Sequence, residues 1–161
     1  MAKNKSTRKK YKIKTIYYNP VDVAVNRASK ISADICVQLQ IVNHNALQQI
    51  HNCTANIDHI RQLVAAINMS DAMQHIRLGH DYVDLIRDAR SCVLSIATRY
   101  MQQVDYRPTD AEMITLDEWI SLHDAQLDIA SNGDILACQD LIHNHIRSGN
   151  VDRIKAPICQ P

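Results

Sequence analysis

The stretch TDAEMITLDEWISLHDAQLDIAS, residues 109–131, decides the fold. Thr109 followed three residues later by Glu112 forms the capping box that opens a helix, and Pro108 stops any helix arriving from upstream. At about 100° per residue, Met113, Leu116, Trp119, Ile120, Leu127 and Ala130 fall on one side, with His123 in their midst. Ile114, Leu122 and Ile129 form a second, weaker apolar flank, and Asp117, Ser121, Asp124 and Asp128 occupy the remaining edge. A helix with two apolar flanks needs neighbours on two sides, so the stretch predicts a bundle with this helix as its centre.

The flanking sequence supplies the neighbours. Asn19-Pro20, with Asp22 following, starts a short helix that reaches about Ser29 through Val21, Val25 and Ala28. Ile35, Leu39, Val42, Ala46 and Ile50 share a stripe and predict a helix from about Ser32 to Asn52. Thr54 is placed to cap the next, Ala55 to Arg77, whose stripe is Ile57, Ile60, Leu63, Val64 and Ile67, with Asp71 continuing it; Gly79 ends it. A fourth helix starts at Asp81 and runs to about Val104, on a face from Tyr82, Leu85 and Ile86 through Ala89, Cys92, Val93, Ile96 and Ala97 to Tyr100. After the central helix, Ser131 caps a last one reaching about Ser148, with Ile135, Cys138, Leu141, Ile142 and Ile146 inward and Gly149 as the stop. The expected fold is all-α: a compact bundle of five main helices plus one short N-terminal helix. Residues 1–18 read as a basic extended arm and 19–161 as a single helical domain, with an extended tail to Pro161.

Composition agrees. The 161 residues suit one domain, and with no Phe, one Trp and six Tyr the core has to be aliphatic. Five Cys without a CxxC spacing point to free thiols in a reducing compartment. The basic N-terminal residues are not followed by an apolar run, which argues against a secretory signal, and no apolar run of about 18 residues is present to span a membrane. The net charge of +1 conceals an asymmetry: residues 1–14 carry seven Lys or Arg and no acid, leaving 11 of 18 basic residues against 17 acidic ones in the remainder, +7 against −6.

Four groups of residues are candidates for chemistry. The arm residues Lys3, Lys5, Arg8, Lys9, Lys10, Tyr11, Lys12 and Lys14 are candidates for partner or nucleic-acid binding, since closely spaced cations contact phosphates without reading sequence. A solubilising tail, or one neutralised by an acidic surface, explains the same charges. The pairs His80-Asp81 and His123-Asp124, with His44 or His51 upstream and Asp124 or Asp128 downstream, match the ligand types of HD-type metal-dependent phosphohydrolases. Asp81, however, stands where a helix cap is needed, and no Gly-Lys follows either pair. Asp140 and His143, three apart, have the spacing of di-iron bundle ligands, but the chain has only Glu112 and Glu118 as glutamates. Asp71 and His123 intrude into apolar stripes. The simplest resolution makes them a core polar pair that fixes helix register; otherwise each finds its own backbone or side-chain partner. No GxSxG, P-loop or GxGxxG is present, and no cofactor or catalytic residue is expected.

The segments Ser6-Thr7-Arg8-Lys9-Lys10-Tyr11, Asn19-Pro20, AAINMSDAM (Ala65 to Met73) and LHDAQLD (Leu122 to Asp128) resemble a group of short phage and prophage proteins. The resemblance covers most of the chain loosely and includes no chemically diagnostic motif. It implies a non-enzymatic phage accessory protein in a bacterial cytoplasm, binding a host protein or ribonucleoprotein, inhibitors of defence complexes such as anti-CRISPR proteins among the examples. The alternatives are backbone binding of DNA or RNA by the arm and an HD-type hydrolase. A homodimer is also expected, through Ile114, Leu122 and Ile129.

Overall fold

The computed structural model describes residues 19–149, which form six α-helices and one short 3-10 turn. The helices are α1 (Pro20–Ala28), α2 (Ala33–His51), α3 (Ile57–His75), α4 (Val83–Met101), α5 (Asp110–Ile129) and α6 (Asn132–Arg147), with the turn at His80–Tyr82 between α3 and α4. The expected all-α bundle is what forms. Among the described residues there is no strand, only one antiparallel bridge between Lys30 and Ser131.

Local hydrogen bonds set most helix starts. Asn19 caps α1 through Val21 N–H, with Pro20 at the first position. Ser32 caps α2 by accepting from Ile35 N–H. At α5 the Thr109 hydroxyl accepts from Glu112 N–H at 3.2 Å, and the Glu112 carboxylate accepts from Thr109 N–H at 2.8 Å. Ser131 and Asp134 repeat the arrangement at α6. Two starts differ from expectation. Asn56, not Thr54, caps α3, in a box completed by His59; the Thr54 hydroxyl bonds the Gln49 side chain instead. Residues 80–82 take a 3-10 turn rather than the first turn of α4, and Tyr82 lies exposed.

Two helices share the centre. α5 packs on α2, α3 and α4, whereas α3 touches α2, α4, α5 and α6. The larger core gathers Ile50, Ile60, Leu63, Ile67, Val93, Ile96, Leu116 and Trp119. A smaller one joins Cys36, Met73, Leu127, Ala130 and Cys138, seating α6. A buried polar layer lies beside them. Ser70 Oγ donates to Gln126 Oε1 at 2.6 Å, and Gln126 Nε2 donates to the Ser70 and Leu78 carbonyls at 3.2 and 2.7 Å. This layer fixes α5 against α3 and ties down the turn after α3. There Gly79 has φ +85°, and a Cβ would stand 2.9 Å from Gln126 Nε2, so the position is glycine on two counts.

The stripe expected to point inward on α2 is rotated. Cys36, Asn43, Ala46, Leu47 and Ile50 are buried, while Ile35, Leu39 and Val42 are exposed. α1 buries none of its residues, Val21 and Val25 included; it packs on α6. Ile146, expected inside, is exposed as well.

Candidate functional site

The arm candidates Lys3, Lys5, Arg8, Lys9, Lys10, Tyr11, Lys12 and Lys14, and the tail beyond Gly149, lie outside the described residues. The Asp71–His123 pair does not form. Asp71 Oδ2 accepts from Arg90 at 2.7 Å and Oδ1 from Gln74 at 2.9 Å, on the side of α3 that faces α4. His123 is buried as expected, 2 % exposed, but it stacks on Trp119 with ring centroids 5.8 Å apart and planes 12° from parallel. Its Nδ1 has no hydrogen-bond partner among the described residues. Burial pushes the imidazole below its ordinary value; the Gln126 side chain and the Asp124 charge oppose this without cancelling it. The register-fixing contact anticipated in the core exists, but Ser70 and Gln126 make it, one residue before Asp71 and three after His123.

The His-Asp pairs part ways. His80 and Asp81 sit exposed in the 3-10 turn, 3.2 Å apart. His44 and Asp124 meet across the α2–α5 seam at 2.7 Å, and four residues further along Asp128 accepts from Gln40 at 3.1 Å and from the Cys36 thiol at 3.4 Å. This seam unites two of the residues an HD site would use. Among the described residues, though, no group of three His, Cys, Asp or Glu side chains is placed to hold an ion. The seam is a helix-to-helix hydrogen-bond ladder. Burial together with the Asp128 hydrogen bond raises the Cys36 thiol above its ordinary value, which leaves it poorly nucleophilic.

Two features stand out that the chain's motifs did not indicate. The first is the outward face of α2. Ile35, Val37, Leu39, Ile41 and Val42 are 39 to 61 % exposed on consecutive turns of one helix. Leaving one aliphatic side chain half in water forgoes about 1 kcal/mol against full burial, so this face lowers the stability of the isolated chain. α2 contains no Lys or Arg, and Gln38, Asn45 and Gln48 lie between the apolar residues. A surface without cations offers nothing to phosphate; exposed aliphatic residues interleaved with amides have the composition of a protein interface.

The second is a cleft of about 360 Å³ between α3, α4 and α6, walled by Ile67, Val93, Leu94, Leu141 and Ile142 and crossed by the Asp71–Arg90 pair. At Val64 and Asn68 it meets a shallower apolar groove that continues along α3 and α4 to Ile57 and Met101.

The expected dimer flank is discontinuous. Leu122 packs against the core, and Ile114 and Ile129, both exposed, are 15 residues apart, about 22 Å along the helix. No described helix is long and apolar enough to cross a membrane. Compared with known proteins, the chain matches no family model, no curated protein and no solved structure.

Proposed function

We propose that this chain is a non-enzymatic binding protein of the phage accessory type, which docks on a host protein or ribonucleoprotein through the outward face of α2 and inhibits or modulates it. The observation that carries this reading is that Ile35, Val37, Leu39, Ile41 and Val42 all lie exposed around the outward side of a helix that also contributes Leu47 and Ile50 to the core. The resemblance to short phage proteins, with a bacterial defence complex as the target class, supplies the setting.

The test couples capture to the face itself. Ile41→Asp and Val42→Asp place a charge where the side chain is already in water, so the fold should lose no more than about 0.5 kcal/mol. A partner captured from bacterial lysate by the wild-type chain should be lost from both variants, whose thermal midpoints stay unchanged. Capture by both variants at wild-type level would overturn the reading. Light scattering separates the remaining occupant: a dimeric mass that becomes monomeric in Ile41→Asp would assign the face to a second copy of the chain.

The charge asymmetry favours a second reading, in which the seven cations of residues 1–14 hold DNA or RNA backbone. Affinity would then fall steeply with salt and disappear when those residues are deleted, while the α2 variants bind normally.

A further inference from the structure

We propose that the cleft between α3, α4 and α6 binds a small amphiphilic carboxylate, with its apolar body between the helices and its anionic group on Arg90. Three observations converge. The volume, about 360 Å³, falls in the range of small-molecule pockets, which begins at roughly 300 Å³. Aliphatic side chains from three helices, Val64, Ile67, Val93, Leu94 and Ile142, line part of it, beside a polar part of at least equal extent. Within the polar part, the Arg90 guanidinium is a cation held in place rather than used up.

Arg90 lines the cleft and gives one N–H to Asp71 Oδ2 at 2.7 Å. Asp71 is itself held by Gln74 Nε2 at 2.9 Å, so the carboxylate is fixed from two sides and in turn fixes the guanidinium plane. Among the described residues, no other partner engages Arg90, and its remaining donors are not sealed from solvent. An arginine braced on one edge by a carboxylate presents its other N–H groups as a fork, the geometry that accepts a second carboxylate bidentately. His75, His145 and Asn68 line the same cleft and add hydrogen-bond capacity. A fully hydrophilic anion would leave the aliphatic walls wet, and a neutral apolar molecule would leave the fork unmatched. A molecule with both ends satisfies the whole cleft. The site is separate from the α2 face and does not depend on it.

The experiment uses three probes on the intact chain: decanoate below its micelle concentration, decanol and acetate. Binding is followed by amide chemical shifts in 15N-labelled protein. Decanoate should give saturable shifts at Ala72, Leu94 and Ile142, with an affinity at least roughly tenfold above that of decanol, and acetate should give none. Arg90→Met should reduce decanoate to the level of decanol. Leu94→Trp, which fills the cleft and keeps both members of the ion pair, should abolish both and guards against an unfolded Arg90 variant. Equal affinity for decanoate and decanol in the wild-type chain would overturn the proposal. So would shifts centred on Leu39, Ile41 and Val42, which would mark indiscriminate adsorption to the exposed face.

Discussion

Ser70 and Gln126 are the smallest unit on which this fold turns. Each is fully buried, and the amide uses both its oxygen and its nitrogen on groups that would otherwise be stranded. Gln126→Leu leaves the Leu78 carbonyl and the Ser70 hydroxyl without a partner and should cost about 2–4 kcal/mol, near one desolvation penalty for each orphaned group. Ser70→Ala should cost less, and the two changes together should cost less than their sum; a denaturant double-mutant cycle measures the coupling. The buried imidazole gives a second test. The folded pKa of His123 lies below the unfolded value of 6.5, so between the two the unfolded chain binds more protons. Stability contributed by this residue is therefore complete above about pH 6.5 and declines as pH falls, until the folded pKa is passed. Replacing His123 by Met should flatten the fall in denaturant midpoint between about pH 7 and about pH 5, and an unchanged slope would assign the pH response elsewhere.

Among the elements, legibility tracked how local the deciding interaction is. The caps at Asn19, Ser32, Thr109 and Ser131 are hydrogen bonds spanning two or three residues, and the chain announces each of them. The packed face of α2 departs from the expected stripe because the helix is aliphatic on nearly every side, so periodicity alone has no preferred direction. The face that packs is chosen by Cys36, small enough to accept α5 closely, and by Asn43, whose oxygen accepts from Gln62 at 2.8 Å. Asn43 is polar, and Cys36 lies off the stripe that the larger aliphatic residues mark. Asp71 was misassigned for a related reason: one residue rotates a helix by about 100°, enough to move a side chain from α5, where Ser70 points, to α4, where Arg90 waits. The capping glutamate carries a tertiary role that local reading did not show. Arg99 of α4 grips both oxygens of Glu112 at 3.1 and 2.8 Å. Burial raises the Glu112 carboxyl, but Arg99 and the Thr109 N–H outweigh it and hold the carboxyl below its ordinary value. The clamp is thus fully present above about pH 4.5 and is lost as pH falls through the lowered folded value. Glu112→Gln keeps the cap geometry and loses the charge, and should make unfolding in acid less steep.

Taken whole, the molecule combines packing between sequence neighbours, α2 on α3, α3 on α4 and α4 on α5, with long-range packing such as α3 on α6 and α1 on α6. A hydrogen-bonded clasp lies at the most distant of these contacts. Ile31 N–H donates to the Ala130 carbonyl at 3.4 Å, Asn132 N–H donates to the Ser29 carbonyl at 2.9 Å, and the Asn132 side chain reaches the Asn26 carbonyl at 3.3 Å. These bonds join the first inter-helix link to the last across about 100 residues of chain. Bonds that close so large a loop form after the local helix pairs are in place, so the clasp belongs to the native side of the folding barrier. Asn132→Ala should then quicken unfolding in stopped-flow experiments while leaving the refolding limb nearly untouched. The clasp acts as a latch on lifetime: it sets how long the bundle stays shut once made, and has little say in how quickly it is made.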